Sequence, residues 1–480
     1  MTRRLPLLTA ATSLFLTGCS QLSQDAGFGE VRELVATRAG LTVRWDQGTE
    51  ADREMDREVR DILSRPLSAD DAVQVALLRN RRMQAVYSRL GVAQADLVEA
   101  GLLKNPVFHF RPRWPDRPPS GTNVELGAEW DFLQALMIPA RRKLARIQFE
   151  RVQVGVANDV LSFVAQVREA YYTLVASQQL ASVMRTVAEA AEASFDLAER
   201  MAEAGNMPDL DLENQRSLYE RAKIEHARAE LESLDARERL NALLGLWGHE
   251  TNWSVPVKLP EIPSAEPPMA HLESAAIANR LDLAEAGREV EALTAALGIT
   301  RDWRWILVAR IGVDAERDTD GQWVTGPELF VELPIFNQRQ ADIARKGAEL
   351  RASEDRLTAL AVEIRSEVRS LRTRLLLTRQ VIEHYHDVFV PLQQRIVELS
   401  QEQYNFMLIG VFQVLEAKKE EIRTYRDYVG GVRDYWITRA RLERAVGDRL
   451  PIESREPTAT APAPVDLRRE AVKTHDHGGT

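Results

Sequence analysis

The chain has 480 residues, of which 45% are hydrophobic and 28% charged, with a formal net charge of -10. This balance suits a folded protein, and the acidic excess without a long basic stripe excludes a polyanion as main partner, because binding duplex nucleic acid needs clustered Lys and Arg to displace counterions. No run after the N-terminus reaches the roughly 18 apolar residues of a membrane-spanning helix, so any membrane insertion must be by strands.

Arg3 and Arg4 precede an apolar run from Leu5 to Leu16, which ends in Leu16-Thr17-Gly18-Cys19. A basic stretch, a short apolar stretch and small residues before a cleavage point are the parts of a secretory signal. The small residues here end in the chain's single cysteine, and the order resembles the bacterial lipobox. That resemblance implies a signal peptide over residues 1–18, with Cys19 lipidated as the mature N-terminus. Ser20 stands where many lipoproteins carry an Asp that retains them at the inner membrane, so outer-membrane anchoring is expected. Several acyl chains on one residue give stable attachment where a single chain is marginal. With its sole cysteine consumed, the protein forms no disulfide, even in an oxidising compartment.

Residues 19–66 are mixed in character and read as a segment packed outside the main body. Ser68 is placed to cap a helix whose first turn holds Asp70 and Asp71, where the helix dipole favours acids. The helix is expected to run to about Leu103 and to end before Asn105-Pro106. Two segments of period 2 follow. In the first, Phe108, Phe110 and Trp114 oppose His109, Arg111 and Arg113. In the second, Val124, Leu126, Ala128, Trp130 and Phe132 oppose Glu125, Glu129 and Asp131. The device recurs later, with Leu307, Ala309, Ile311 and Val313 opposing Arg310 and Asp314, and Leu329, Val331 and Leu333 opposing Glu328 and Glu332. One apolar and one charged face suit a barrel with lipid outside and water inside, although a half-buried hairpin in a soluble sandwich uses the same alternation. Five of the nine tryptophans, Trp114, Trp130, Trp303, Trp305 and Trp323, lie in or beside these strands, as interfacial aromatic girdles require. Four strands cannot close a membrane barrel, for which about eight is the usual minimum, so several protomers must share one.

Each strand pair is followed by a helical tract, from about Ala140 to Ala204 and from about Gln338 to Met407. At 1.5 Å per residue each extends on the order of 95 to 105 Å. Returning helices run from about Asp209 to Leu244 and from about Phe412 to Val446. Val160, Phe163, Val164, Val167, Tyr171 and Leu174 recur at spacings of three and four, as a helix buried along one stripe requires. The Pro- and Ala-rich residues 449–480 have the composition of a disordered tail.

The chain says nearly the same thing twice. Asn80-Arg81 is answered by Asn279-Arg280, Glu125 to Glu129 by Glu328 to Glu332, Asp211-Leu212-Glu213 by Val414-Leu415-Glu416, and Gly245 by Gly447. A period near 200 residues marks a duplicated subdomain and not a solenoid. Residues 67–248 and 270–448 form the two repeats, with a linker over 249–269.

The stretches Leu67 to Asn80, Ala93 to Pro106, Leu333 to Gln340 and Val414 to Ala417 together resemble the outer-membrane efflux protein family, the TolC-like ducts of Gram-negative bacteria, over roughly residues 67 to 448. The resemblance implies a mainly α fold with a transmembrane β-barrel portion. In it, a homotrimer closes a twelve-stranded barrel continuous with a periplasmic α-helical tunnel. It further implies a passive exit duct, anchored in the outer membrane and extending into the periplasm, that receives substrate from an inner-membrane pump through a periplasmic adaptor. Such ducts catalyse nothing and carry no cofactor beyond the lipid on Cys19. The helix-turn-helix tips fall at Gly205 and Met207 and at Leu408 and Gly410, which become candidate adaptor contacts. Acidic residues beyond the second turn line the closed aperture in similar proteins. The matching positions are Gln413, which departs from the acidic pattern, and Glu416, with Asp209, Asp211 and Glu213 on the other returning helix. Three-fold repetition would turn one carboxylate into a ring that selects against anions, while an acid at a helix start is equally expected from capping alone. His384 with His386, and His475 with His477, lack i,i+4 spacing and a third ligand, so no metal site is expected there. The wording of Asn337 to Gln340 resembles the heavy-metal branch of the family. The competing reading is a structural or adaptor-like periplasmic lipoprotein with a long coiled-coil hairpin. No phosphate loop, G-x-S-x-G or H-E-x-x-H motif favours an enzyme.

Overall fold

The computed structural model describes residues 22–48, 50–119, 121–266 and 269–450. The signal segment with Cys19 and the tail from residue 451, with His475 and His477, lie outside the described residues.

Helix α1 (Phe28–Ala39) lays Phe28, Val31, Val35 and Ala39 into the core, with Phe28 edge-on to Tyr87 at 5.0 Å between ring centroids. After an extended stretch and α2 (Glu50–Leu63), α3 (Ala69–Arg79) opens on Ser68, whose hydroxyl accepts from the Asp71 amide while the Asp71 carboxylate accepts from the Ser68 amide. This reciprocal pair satisfies two otherwise orphaned donors of the first turn.

The expected single helix to Leu103 is two helices. At Asn80 the backbone turns extended, with φ -68° and ψ 114°, and the Asn80 carboxamide oxygen accepts from the Arg82 and Met83 amides to start α4 (Arg81–Ala100). Its Nδ2 donates to the Leu243 carbonyl at 2.8 Å, tying the break to a helix of the same repeat. Asn80 thus uses both ends of its carboxamide, one to cap and one to anchor.

Strands β1 (Val107–Arg113) and β2 (Asn123–Asp131) lead through the short α5 (Phe132–Leu136) into α6 (Ile138–Glu203), a single helix of 66 residues and so about 100 Å long. Every member of the Val160 to Leu174 stripe read from the sequence is buried. Helix α7 (Asp209–Leu244) returns along it. The connecting stretch beyond is stitched to both halves and does not hang free. Trp253 is buried and its indole N–H donates to Asn241, the Leu67 amide donates to the Ser254 carbonyl, and the Pro260 carbonyl accepts from the Trp436 indole.

The second repeat follows the same plan with α8 (Leu272–Asn279), α9 (Leu281–Asp302), β3 (Ala309–Arg317) and β4 (Trp323–Val331). Next come α10 (Gln340–His384), a π-helical turn over Tyr385–Phe389, α11 (Val390–Asn405) and α12 (Val411–Val446). The second long helix is therefore interrupted where the first is continuous. Pro391 explains the difference: its ring would strike the carbonyl one turn back, at Asp387, and a wider turn absorbs the mismatch. The four strands form one antiparallel sheet in the order β1-β2-β3-β4. Among the described residues no helix is long and apolar enough to cross a membrane.

The two halves share one order of elements, and their helical register differs from the sequence pairing by one residue. Gly245 and Gly447 end α7 and α12 with φ of 72° and 75°. A Cβ on Gly245 would meet Arg79 and Asn80 backbone, and one on Gly447 would meet Asn279 and Arg280 backbone. Asn80 is therefore equivalent to Arg280, not Asn279. Asp211 and Gln413 are likewise each the third residue of their helices, so Asp211 pairs with Gln413, not Val414. Each left-handed glycine lets a returning helix end against the break in its own repeat, a close approach that leaves no room for a side chain.

Candidate functional site

The strand register separates two faces of the sheet. Phe108 and Phe110 face Ala128 and Leu126, which face Val313 and Ala315, which face Pro327 and Thr325. Side chains directly opposite in antiparallel strands point to one side, so Phe108, Phe110, Leu126, Val313, Ile311 and Leu329 form an apolar face that is largely open: Val313 is 62% exposed. The other face carries His109, Arg111, Arg113, Glu125, Glu129, Arg310, Asp314, Glu316 and Glu328. It is cross-linked by Arg113 to Glu125 at 2.6 Å, Arg111 to Glu125 at 2.9 Å, Arg310 to Glu129 at 2.9 Å and Asn123 to Glu316 at 2.7 Å. The alternation read from the sequence therefore holds in all four strands. Phe330, on the charged side, lies under the Arg310 guanidinium at 4.7 Å, a cation–π contact.

Tryptophans border this sheet at both ends. Trp114 and Trp323 stand at the hairpin end; Trp130, Trp303 and Trp305 stand where the strands join the helices. Nine-residue strands span about 30 Å, near the thickness of a bilayer's hydrocarbon core. Strands β1 and β4 each have one edge with no partner strand among the described residues.

At the far end of the hairpins the two turns differ. After α6, Gly205 takes φ 75°, the Asn206 amide donates to the Met201 carbonyl, and Pro208 leads into α7 with Asp209 and Asp211 in its first turn. After α11 the equivalent left-handed position is Met407, with φ 58°, a conformation that costs a non-glycine residue about 1 kcal/mol or more. Met407 is 92% exposed and lies between exposed Phe406 and Leu408. Gly410 caps α12, with the Gln413 side chain folded toward it. Glu416 is exposed and pairs with Lys419 at 3.2 Å, an ordinary i,i+3 surface contact. In the single chain Asp209, Asp211, Gln413 and Glu416 all stand in the opening turns of the two returning helices, while Gly205, Met207, Leu408 and Gly410 stand in the turns. Phe406 escaped the sequence reading; the apolar run from Phe406 to Ile409 at an otherwise polar tip was its signal.

Sequence spacing also singled out no metal-ligating group, whereas the strand register brings His109, Glu125 and Asp314 together, their ligand atoms within 4.8 Å of one another. His386 sits in the π-helical turn, exposed, 2.8 Å from the neighbouring Asp387 and with no second acid around it to make three ligands among the described residues.

The structure thus joins a two-faced four-stranded sheet to helical hairpins of about 100 Å. Residues 72–246 match the family model described as outer membrane efflux protein. Among its relatives, the cobalt-zinc-cadmium resistance protein CzcC of Cupriavidus metallidurans is 20% identical over 403 residues, covering 80% of this chain and 90% of the relative. The toluene efflux pump outer membrane protein TtgC of Pseudomonas putida is 27% identical over 37% of this chain and 38% of its own length. Among solved structures, CusC superposes with a TM-score of 0.66 at 16% identity, covering 79% of this chain and 92% of its own. The Campylobacter jejuni CmeC outer membrane channel gives 0.67 at 15%, covering 87% and 91%.

Proposed function

We propose that this protein is the outer-membrane channel of a tripartite efflux system, a passive exit duct supplied by an inner-membrane pump through a periplasmic adaptor. The observation that carries the reading is the four-stranded sheet with one open apolar face, one charged face and two open edges, continuous with the helical hairpins. Unpaired strand edges are not tolerated in hydrocarbon, and four strands are too few to close. Three copies would give twelve strands, with the apolar faces to lipid and the ion-paired faces to water. No chemistry is needed for passage. The lipid on Cys19 would hold each copy at the outer membrane while the hairpins reach into the periplasm.

The exposed apolar turn at Phe406 to Leu408, together with Gly205, Met207 and Gly410, fits an adaptor contact. Asp209, Asp211, Gln413 and Glu416 fit the wall of the aperture. The relative aligned over most of this chain is named for cobalt, zinc and cadmium resistance, and that name, together with the Asn337 to Gln340 stretch, supports metal cations as the cargo.

The test is electrical. Protein purified in detergent is expected to run as a trimer and to conduct in a planar bilayer with cation preference. Glu416→Ala combined with Asp209→Ala is expected to raise passive conductance and weaken that preference. A non-conducting, water-soluble monomer without its acyl anchor would sink the channel reading; unchanged conductance and selectivity in the double variant would leave these residues as helix-start acids. Separately, Cys19→Ala is expected to abolish incorporation of radioactive palmitate, and retained label would refute lipidation at that residue.

A further inference from the structure

One transverse row of the sheet reads His109, Gly127, Asp314, Gly326 from β1 to β4. Strands β1 and β3 are not neighbours and lie about 9–10 Å apart, yet the His109 Nε2 stands 3.7 Å from the Asp314 Oδ1 and 3.5 Å from the Glu125 Oε1. Gly127 makes that reach possible. The imidazole occupies the space beside the Gly127 backbone on β2, where any Cβ would collide with the ring. The glycine thus serves a specific placement, the delivery of one histidine to a carboxylate two strands away.

We propose that His109, Glu125 and Asp314 form a binding site for a borderline divalent transition-metal cation, of which Zn2+ and Co2+ are the type. One imidazole and two carboxylates are the donor set such cations take. Bonds of about 2.0–2.1 Å in tetrahedral geometry put ligand atoms about 3.3–3.5 Å apart; the two distances from Nε2 are already 3.5 and 3.7 Å. The three side chains are partly buried and open on the charged face, so water supplies the remaining position. Glu125 is shared with arginines: Arg113 holds Oε2 at 2.6 Å, and Arg111 lies 2.9 Å from Oε1. An arriving cation displaces Arg111 from Oε1, and the retained guanidinium charge keeps the site exchangeable. The proposal rests on the channel reading only in placing this site on the lumen wall, where a passing cation is held and released; the trio itself stands on the register of the sheet.

Isothermal titration of ZnCl2 into the full-length protein in detergent tests it. Wild type and His386→Ala are expected to bind one Zn2+ per protomer at this site, and His109→Ala and Asp314→Asn to bind at least about tenfold more weakly, since loss of a ligand costs no less than loss of a supporting group. No saturable binding in wild type, or the same isotherm in all four proteins, overturns the site. Glu125→Gln, which keeps the shape of the side chain, replaces either variant that fails to assemble. Conductance of the same preparations separates the two readings. Conducting trimers without Zn2+ binding sink this site alone, and protein that binds Zn2+ through His109 but never conducts sinks the channel alone.

Discussion

Val313→Arg is expected to abolish assembly in the membrane. Val313 is central in β3, opposite Ala128 and Pro327, and 62% exposed on the apolar face. An arginine facing lipid at the bilayer midplane costs about 2–4 kcal/mol, and a trimer would carry that penalty in every copy. Trimer content in outer-membrane fractions should fall to background, whereas Glu328→Arg, on the charged face one residue off that row, should assemble and alter only ion selectivity. Equal trimer yields for the two variants would mean that the apolar face does not meet lipid.

Glu266→Ala should cost more stability than any surface change. Glu266 lies in the stretch between the repeats with its side chain only 6% exposed, and its carboxylate accepts from Arg439 at 2.8 Å, from Arg379 at 3.3 Å and from the Tyr435 hydroxyl. Arg439 is 3% exposed. Burial pushes the Tyr435 hydroxyl well above its ordinary pKa, and the hydrogen bond to Glu266 adds to the shift, so the phenol stays a donor. Removing the acid leaves buried guanidinium charge with less compensation, a class of change that costs about 3–5 kcal/mol. For a chain of this size the apparent melting temperature should fall on the order of 5 °C, with Glu266→Gln recovering part of the loss by keeping an acceptor. A melting curve that does not move would show that the connecting stretch is held by its apolar contacts, Trp253 and Met269, and not by this cluster.

What the sequence disclosed was local. The Ser68–Asp71 box, the alternation in four strands, the stripe from Val160 to Leu174 and the two closing glycines are each written within a few residues, and each is found in the structure. What it hid depended on distant partners. The break at Asn80 lies in a stretch of good helix formers, and its cause sits on α7, where the Leu243 carbonyl and Gly245 receive it. The one-residue shift between repeats followed, because Gly245 meets Arg79 and Asn80 whereas Gly447 meets Asn279 and Arg280, which leaves the look-alike Asn-Arg pairs one residue out of step. The π-helical turn has a local cause in Pro391, a single residue inside a tract of otherwise helical composition. The His109, Glu125 and Asp314 trio was out of reach in principle, since its members come from three strands and both halves of the chain, and only the pairing of β2 with β3 joins them.

The two open edges of the sheet have a kinetic consequence. A lone copy that entered the bilayer would leave a row of amide and carbonyl groups on β1 and another on β4 without partners, each group costing several kcal/mol in hydrocarbon. On the channel reading, insertion of single copies would therefore be closed off, and entry into the membrane would be a reaction of higher order in protein, its rate falling steeply when copies are scarce. Confining the copies to one surface converts that dependence from a bulk concentration to a surface density. On this view acylation at Cys19 would matter most before the channel exists, by holding copies within reach of one another until the last edge closes.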